Sequence, residues 1–319
     1  MPIATPAKGR RGVQQNDGLA DGAGENHDVD DLDLNGAQLP LLWEVCKAAK
    51  EAGAAVVVVV VSAQPKTFGA AMWTPIGVGA PNALVGEFGA LLAAWRPGEE
   101  GGTAVVEIIT GKANPSGRLS HTWPAKAGQV HSVVSNSYHM PASAAGGSFA
   151  FTTGPLAPLF PFGFGLSYSE FTIGKPSITL PSAGAPVGAA QRFALAIPVM
   201  NSPDRPAGRV TLGVYAEPTF QLIGQAQPVN RLLCWNQAVV PSGGTATVSI
   251  SCAASDLGMW DLAVGDYLVK AGAYQLTIAQ YSGDPAADRN LTVDVRATPI
   301  PAPGDSMRDR AEAISGVKI

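Results

Sequence analysis

Few side chains in this sequence stand at spacings that do chemistry by themselves. The four histidines, His27, His121, His131 and His139, share no metal-ligand spacing, and the three cysteines form neither a CxxC pair nor a zinc knuckle. Neither a metal nor another cofactor is therefore expected. The glycine-rich run Gly98–Gly102 lacks the G-x-x-x-x-G-K-S/T string of a phosphate cradle and is expected to shape a turn. Asn114 is disqualified as a glycan acceptor by Pro115, whereas Asn290-Leu291-Thr292 is a proper sequon that matters only in a secreted chain. Trp73, Trp95, Trp123, Trp235 and Trp260 could stack on sugar rings, but core or loop packing is the expectation for each. Cys46 reads as a small core residue of a helix. Cys234 and Cys252 flank two alternating runs joined by Pro241-Ser242-Gly243-Gly244. Hairpin pairing of those runs would bring the two sulfurs nearly opposite one another, which leaves a disulfide and two free thiols both open.

The elements that must position these residues follow from composition. At 319 residues and 46% hydrophobic content, the chain can bury two cores. Charged residues are only 14%, against 37 glycines and 26 prolines, which points to a turn-rich, β-rich chain. The formal charge of -4 provides no electrostatic attraction to nucleic acid or to an anionic membrane. The strongest apolar run, Ala54–Val61, is too short for a membrane span, and no apolar segment follows the basic residues Lys8, Arg10 and Arg11, so no signal peptide is read in this chain.

Residues 1–24 are polar and without periodicity, and read as disordered or unrelated to the fold. From Gly36 to Gly53, Leu39, Leu42, Trp43, Cys46 and Ala49 recur at helical spacing, with Gly53 as the stop. The valines 56–61 that follow read as a strand apolar on both faces, as in a parallel sheet. A helix capped by Asn82 and carrying Leu84, Phe88, Leu91, Leu92 and Trp95 is expected next, then a shorter one over Thr103–Thr110. Beyond Phe171 the period falls to two, through Phe193, Leu195, Ile197 and Val199 and four further short runs. Strands at such spacing indicate an all-β sandwich of immunoglobulin-like type. The expected organisation is an α/β part over 25–170, a β-sandwich over 171–298 and a mobile tail over 299–319.

Four segments in order carry a resemblance. They are Gly24-Glu25-Asn26-His27-Asp28 leading to Leu32-Asp33-Leu34-Asn35-Gly36; Trp95-Arg96-Pro97-Gly98-Glu99-Glu100-Gly101-Gly102 with Asn114-Pro115-Ser116-Gly117-Arg118-Leu119; Phe160-Pro161-Phe162-Gly163-Phe164-Gly165-Leu166-Ser167-Tyr168; and the β-strands with Val214-Tyr215, Arg231-Leu232-Leu233 and Gly272-Ala273-Tyr274. Together they resemble the C-terminal region of family 3 glycoside hydrolases, the β-glucosidase and β-xylosidase group. The resemblance implies part of an α/β sandwich, with a mostly parallel sheet and helices, followed by a fibronectin type III-like β-sandwich. Two positions depart from the family pattern: Val29 stands in place of an arginine and Asn35 in place of a proline.

The same resemblance implies an exo-acting, retaining β-glycosidase that releases terminal glucose or xylose. Such enzymes need two carboxyl groups about 5–5.5 Å apart, one attacking the anomeric carbon and one protonating the leaving oxygen. Glu25 matches the general acid/base position, and Asp28 the motif aspartate that holds its loop. The (β/α)8 barrel that carries the nucleophilic aspartate has no counterpart here. The chain is therefore expected to be an incomplete copy, inactive alone and dependent on a separate barrel domain or chain, with a β-linked glycoside as substrate. Its sheet would have an unpaired edge or an uncovered apolar face. The rival expectation is a non-catalytic module that binds carbohydrate or packs on a barrel. The family resemblance implies an extracellular protein.

Overall fold

In the computed structural model of the chain, residues 32–34, 36–68, 89–124, 158–219, 231–261, 266–284, 288–296 and 298–299 are described. Contacts divide these residues into two units. One holds those up to Glu107 together with 123–124 and 158–160; the other holds 108–122 and those from Pro161 onward.

In the first unit the helical period of 36–53 produces helix α1, Gln38–Ala52. Gly53 ends it in the left-handed region (φ 66°), where its N–H reaches the carbonyls of Ala49 and Lys50. On the apolar face Cys46 is buried, while Leu39, Leu42 and Ala49 are half-buried. The valine run forms strand β1, Val57–Val60, parallel to β2, Ala90–Ala93, in the register Val57 with Ala90 through Val60 with Ala93. The helix expected through Leu91, Leu92 and Trp95 is therefore a strand, and its start near Asn82 lies outside the described residues. A short apolar run satisfies helical and extended patterns alike, and parallel pairing with the valines decides between them. A second helix, α2, follows at Gly101–Ile109. Leu41, Val45, Val57 and Val61 are exposed, so apolar side chains of both α1 and β1 meet solvent.

The second unit is built of strands. One sheet runs β12-β11-β6-β7, with β6 Gly208–Pro218, β7 Arg231–Val240, β11 Gly272–Ala279 and β12 Asp288–Val295, all antiparallel. In the other, β5 (Arg192–Asn201) is central: β8 (Thr245–Ala253) pairs along one edge, while β3 (Phe171–Ile173) and β4 (Ser177–Thr179) share the opposite edge. A small third sheet joins β9 (Met259–Asp261), β10 (Asp266–Val269) and β13 (Thr298–Pro299). Alternation is clean where one face is covered: Phe193, Leu195, Ile197 and Val199 of β5 are buried while their neighbours meet solvent or lie part-covered. Beside them Val248 and Ile250 of the paired β8, and from the other sheet Val210, Leu212 and Val214 of β6 with Tyr274, Leu276 and Ile278 of β11, complete one apolar core.

Cys234 and Cys252 are bonded, with Cα atoms 5.4 Å apart. They do not meet through a hairpin ladder. β7 pairs with β6 and β8 with β5, so the chain crosses from one sheet to the other at the Pro241–Gly244 turn, which is closed by the Gly244 N–H donating to the Pro241 carbonyl at 3.0 Å. The bond therefore staples the edges of two sheets. Alternation sends Cys234 and Cys252 inward from facing edges, which brings them together without backbone pairing.

Candidate functional site

The acidic residues singled out from sequence, Glu25 and Asp28, lie outside the described residues, as does Trp73. The segment just downstream of them is anchored. Asp33 bridges Thr67 in parallel: the Leu34 N–H donates to the Thr67 carbonyl at 3.2 Å and the Thr67 N–H to the Leu32 carbonyl at 2.7 Å. The Thr67 hydroxyl also donates to the Asp33 carboxylate. The motif that carries Glu25 is thus tied, seven residues on, to the loop Ser62–Phe68 at the carboxyl end of β1. That end of a parallel sheet is where α/β folds bind ligands, because the loops there diverge and leave a crevice.

Aromatic rings brace this loop. The Trp123 indole N–H donates to the Lys66 carbonyl at 2.9 Å, and its ring centroid lies 5.5 Å from Trp95 and 6.1 Å from Phe160, edge-on to the latter. Trp123 and Phe160 also exchange both backbone hydrogen bonds, at 2.8 and 3.2 Å. Trp95, two residues after the end of β2, has φ 54°, an uncommon conformation for a bulky residue, and its carbonyl accepts from the Ser62 N–H at 3.2 Å. Trp123 is fully buried, in keeping with its expected packing role.

The two longest motifs interlock within the second unit. The Leu119 N–H donates to the Phe164 carbonyl at 2.9 Å and the Gly163 N–H to the Leu119 carbonyl at 2.8 Å. Gly165 must be glycine, since a Cβ there would lie 2.3 Å from the Gly117 carbonyl oxygen. Asn114 is the centre of this knot. Its amide donates to the Ser169 hydroxyl at 2.7 Å and the Ala207 carbonyl at 3.0 Å, while its oxygen accepts from the Ser167 hydroxyl and the Tyr168 N–H, both at 2.9 Å. Arg118 donates to Gln280 at 3.3 Å, and burial pulls its guanidinium, like the His121 imidazole, below the usual value.

In the sequence Asn114 stands out only as a member of the Asn114–Leu119 motif, and its four partners lie 53 or more positions away, beyond any local signal. Trp235 departs from expectation: it is 58% exposed on β7 rather than packed. Its strand is a sheet edge, and alternation turns the indole outward. Among the described residues no group of three His, Cys, Asp or Glu could hold a metal ion, and no helix is long and apolar enough to cross a membrane.

Comparison with known proteins places these motifs. Residues 11–168 match the family model described as the glycosyl hydrolase family 3 C-terminal domain. A β-glucosidase of Rhizobium radiobacter is 29% identical over 220 residues, covering 66% of this chain and 26% of that protein. A β-xylosidase of Formosa agariphila is 26% identical over 271 residues, covering 85% and 34%. Among solved structures, a β-glucosidase involved in saponin metabolism from intestinal bacteria superposes with a TM-score of 0.71 at 26% identity, covering 86% of this chain and 35% of its own. The chain thus spans about a quarter to a third of the length of these relatives. Through residues 11–168 the chain belongs to glycosyl hydrolase family 3, as a C-terminal domain of that family.

Proposed function

We propose that this chain supplies the C-terminal part of an exo-acting, retaining β-glycosidase of β-glucosidase or β-xylosidase type, which hydrolyses O-glycosyl bonds in polysaccharide catabolism. The observation that carries the reading is the ordered set of family motifs within residues 11–168. Glu25 is the general acid/base, and Asp28 holds its loop by hydrogen bonds. Downstream, the Asp33–Thr67 anchor at the carboxyl end of β1 supports the segment that presents Glu25. In the first step the Glu25 carboxyl protonates the leaving glycosidic oxygen while a nucleophilic carboxylate attacks the anomeric carbon. In the second its carboxylate takes a proton from the water that releases the sugar. The nucleophile comes from a (β/α)8 barrel domain or chain that packs with this one, so the chain alone does not turn over substrate. The strands over 171–298 form a fibronectin type III-like module, and the organisation 1–24, 25–170, 171–298 and 299–319 follows from the same reading.

Release of nitrophenol from aryl β-glucosides and β-xylosides tests this. The chain alone is expected to release none. Joined to a family 3 barrel polypeptide, it is expected to restore release, and Glu25→Gln to lower it by about 100-fold or more. Activity of the joined protein that is indifferent to Glu25→Gln would remove the role given to Glu25. Turnover by the isolated chain, abolished by the same substitution, would instead place both carboxylates within it.

A further inference from the structure

We propose that the outer face of β6 and β7 is a binding surface for a neutral β-linked oligosaccharide, with Trp235 as its stacking platform and Gln237 and Thr211 as its hydrogen-bonding groups. Trp235 is 58% exposed and stands opposite Gly213 in the β6–β7 register, where Leu232 and the Tyr215 ring take the space over the glycine and the indole keeps more than half of its surface in solvent. Two residues along the strand, Gln237 stands opposite Thr211 and donates its amide hydrogen to the Thr211 hydroxyl at 3.0 Å. Among the described residues the Gln237 amide oxygen has no donor, and the Thr211 hydroxyl hydrogen is likewise available. The row ends with exposed Val239 opposite Arg209. It carries no carboxylate.

Single exposed apolar residues are ordinary on protein surfaces. Trp235 differs in how firmly its backbone is held. Cys234, directly before it, is bonded to Cys252 of β8. Asn236, directly after it, donates its amide to the Ser249 carbonyl of β8 at 2.6 Å and accepts the Gln237 N–H at 2.9 Å. The neighbours on both sides are therefore tied across to the second sheet, while the indole between them points outward. A flat side chain carried on so firmly held a backbone costs little backbone freedom on meeting a ligand, and an indole has only two side-chain torsions to settle.

The chemistry selects the ligand. β-Linked glucopyranose and xylopyranose rings carry their hydroxyls equatorially, so each ring face presents C–H groups to the electron-rich face of an indole. The hydroxyls at the ring edge then meet side chains that both donate and accept, and Gln237 with Thr211 lies about 7 Å along the strand. The choice of sugar rests on the glycosidase reading given above; the binding surface itself does not involve Glu25.

Titration calorimetry of the full chain with cellohexaose and with xylohexaose tests the proposal. One or both are expected to bind. Trp235→Ala should weaken binding by at least about tenfold, Trp235→Phe by less, and Gln237→Ala by a few-fold. Glu25→Gln should bind as the parent does, which separates failure of this surface from failure of the catalytic assignment. Since Trp235 is largely in solvent, its replacement leaves the core intact, and an unchanged thermal transition verifies this. The proposal falls if neither hexasaccharide binds, or if Trp235→Ala binds as tightly as the parent. Absence of sugar binding together with self-association that Trp235→Ala abolishes would assign the face to a second copy instead.

Discussion

Breaking the Cys234–Cys252 bond is expected to cost the β-unit about 3 kcal/mol. The two residues are 18 positions apart, and closing a loop of that size removes chain entropy worth about 3 kcal/mol at 25 °C from the unfolded state. Reduction is the cleaner perturbation, because both sulfurs stay in place and only the link is lost. Cys234→Ala with Cys252→Ala removes the link permanently, and adds a small packing loss at Cys252, whose side chain is fully buried. In urea, with slopes of about 1–3 kcal/mol per molar, the midpoint should fall by roughly 1–3 M on reduction, while the double variant should be indifferent to reductant. Thiol counting supplies an independent check. Denatured without reductant, the chain should present one reactive thiol, Cys46, and after reduction all three. Three reactive thiols before reduction, or a stability change below about 1 kcal/mol, would refute the staple.

Two more outcomes follow from the strand unit. Asn114→Ala deletes four hydrogen bonds at once and leaves part-buried groups of Ser167 and Ser169 short of a partner, so a loss of about 2–4 kcal/mol is expected in urea unfolding. Asn114→Asp, which keeps the acceptor and loses the donor, should fall between the two, and a loss under about 1 kcal/mol for Ala would discount the hub. Tyr215 and Tyr274 give a pH signature. Burial, aided by Asp284, pushes the Tyr215 phenol up to about 12, and burial pushes Tyr274 to about 12 against the opposing charge of Arg231. Both folded values exceed the ordinary tyrosine value near 10, so the unfolded chain gives up these protons first. Their contribution is complete below about pH 10 and is lost as pH rises toward 12. Urea midpoints measured from pH 8 to 11.5 should decline above 10, and less steeply in Tyr274→Phe; a flat profile would contradict the burial of these hydroxyls.

How much could be read from residues alone depended on whether a signal was local. The period-two runs of β5 and β8 are visible because each alternates between one covered face and one wet face, whereas β11 is visible from its alternating apolar residues Tyr274, Leu276 and Ile278 although Leu276–Ala279 are buried on both faces. Helix α1 is visible from its apolar spacing and its glycine stop. The β2 strand was not, since Leu91 and Leu92 fit helix and strand equally and only the parallel partner 33 positions earlier decides. The same limit explains Asn114, whose partners are all distant, and Trp235, whose outward aim depends on which sheet receives β7. Family strings located the candidate acid Glu25, a residue type that has no periodicity to betray it. They did not reveal the brace of Trp95, Trp123 and Phe160, which assembles from three separate stretches of chain.

The passage of the chain from β7 into β8 through Pro241–Gly244 makes each sheet depend on its neighbour for completion. Strands β5 and β8 pair at sequence separations of 45 to 61, and the strand between them that leads into β8 is already committed to β6. The β6–β7 pairing closes within residues 208–240, whereas the β5–β8 ladder has to span that whole stretch, so the slow, non-local search falls on the sheet that receives β8. The later partnership has to wait for the earlier one, and a destabilised crossover is felt first by the strand that arrives last.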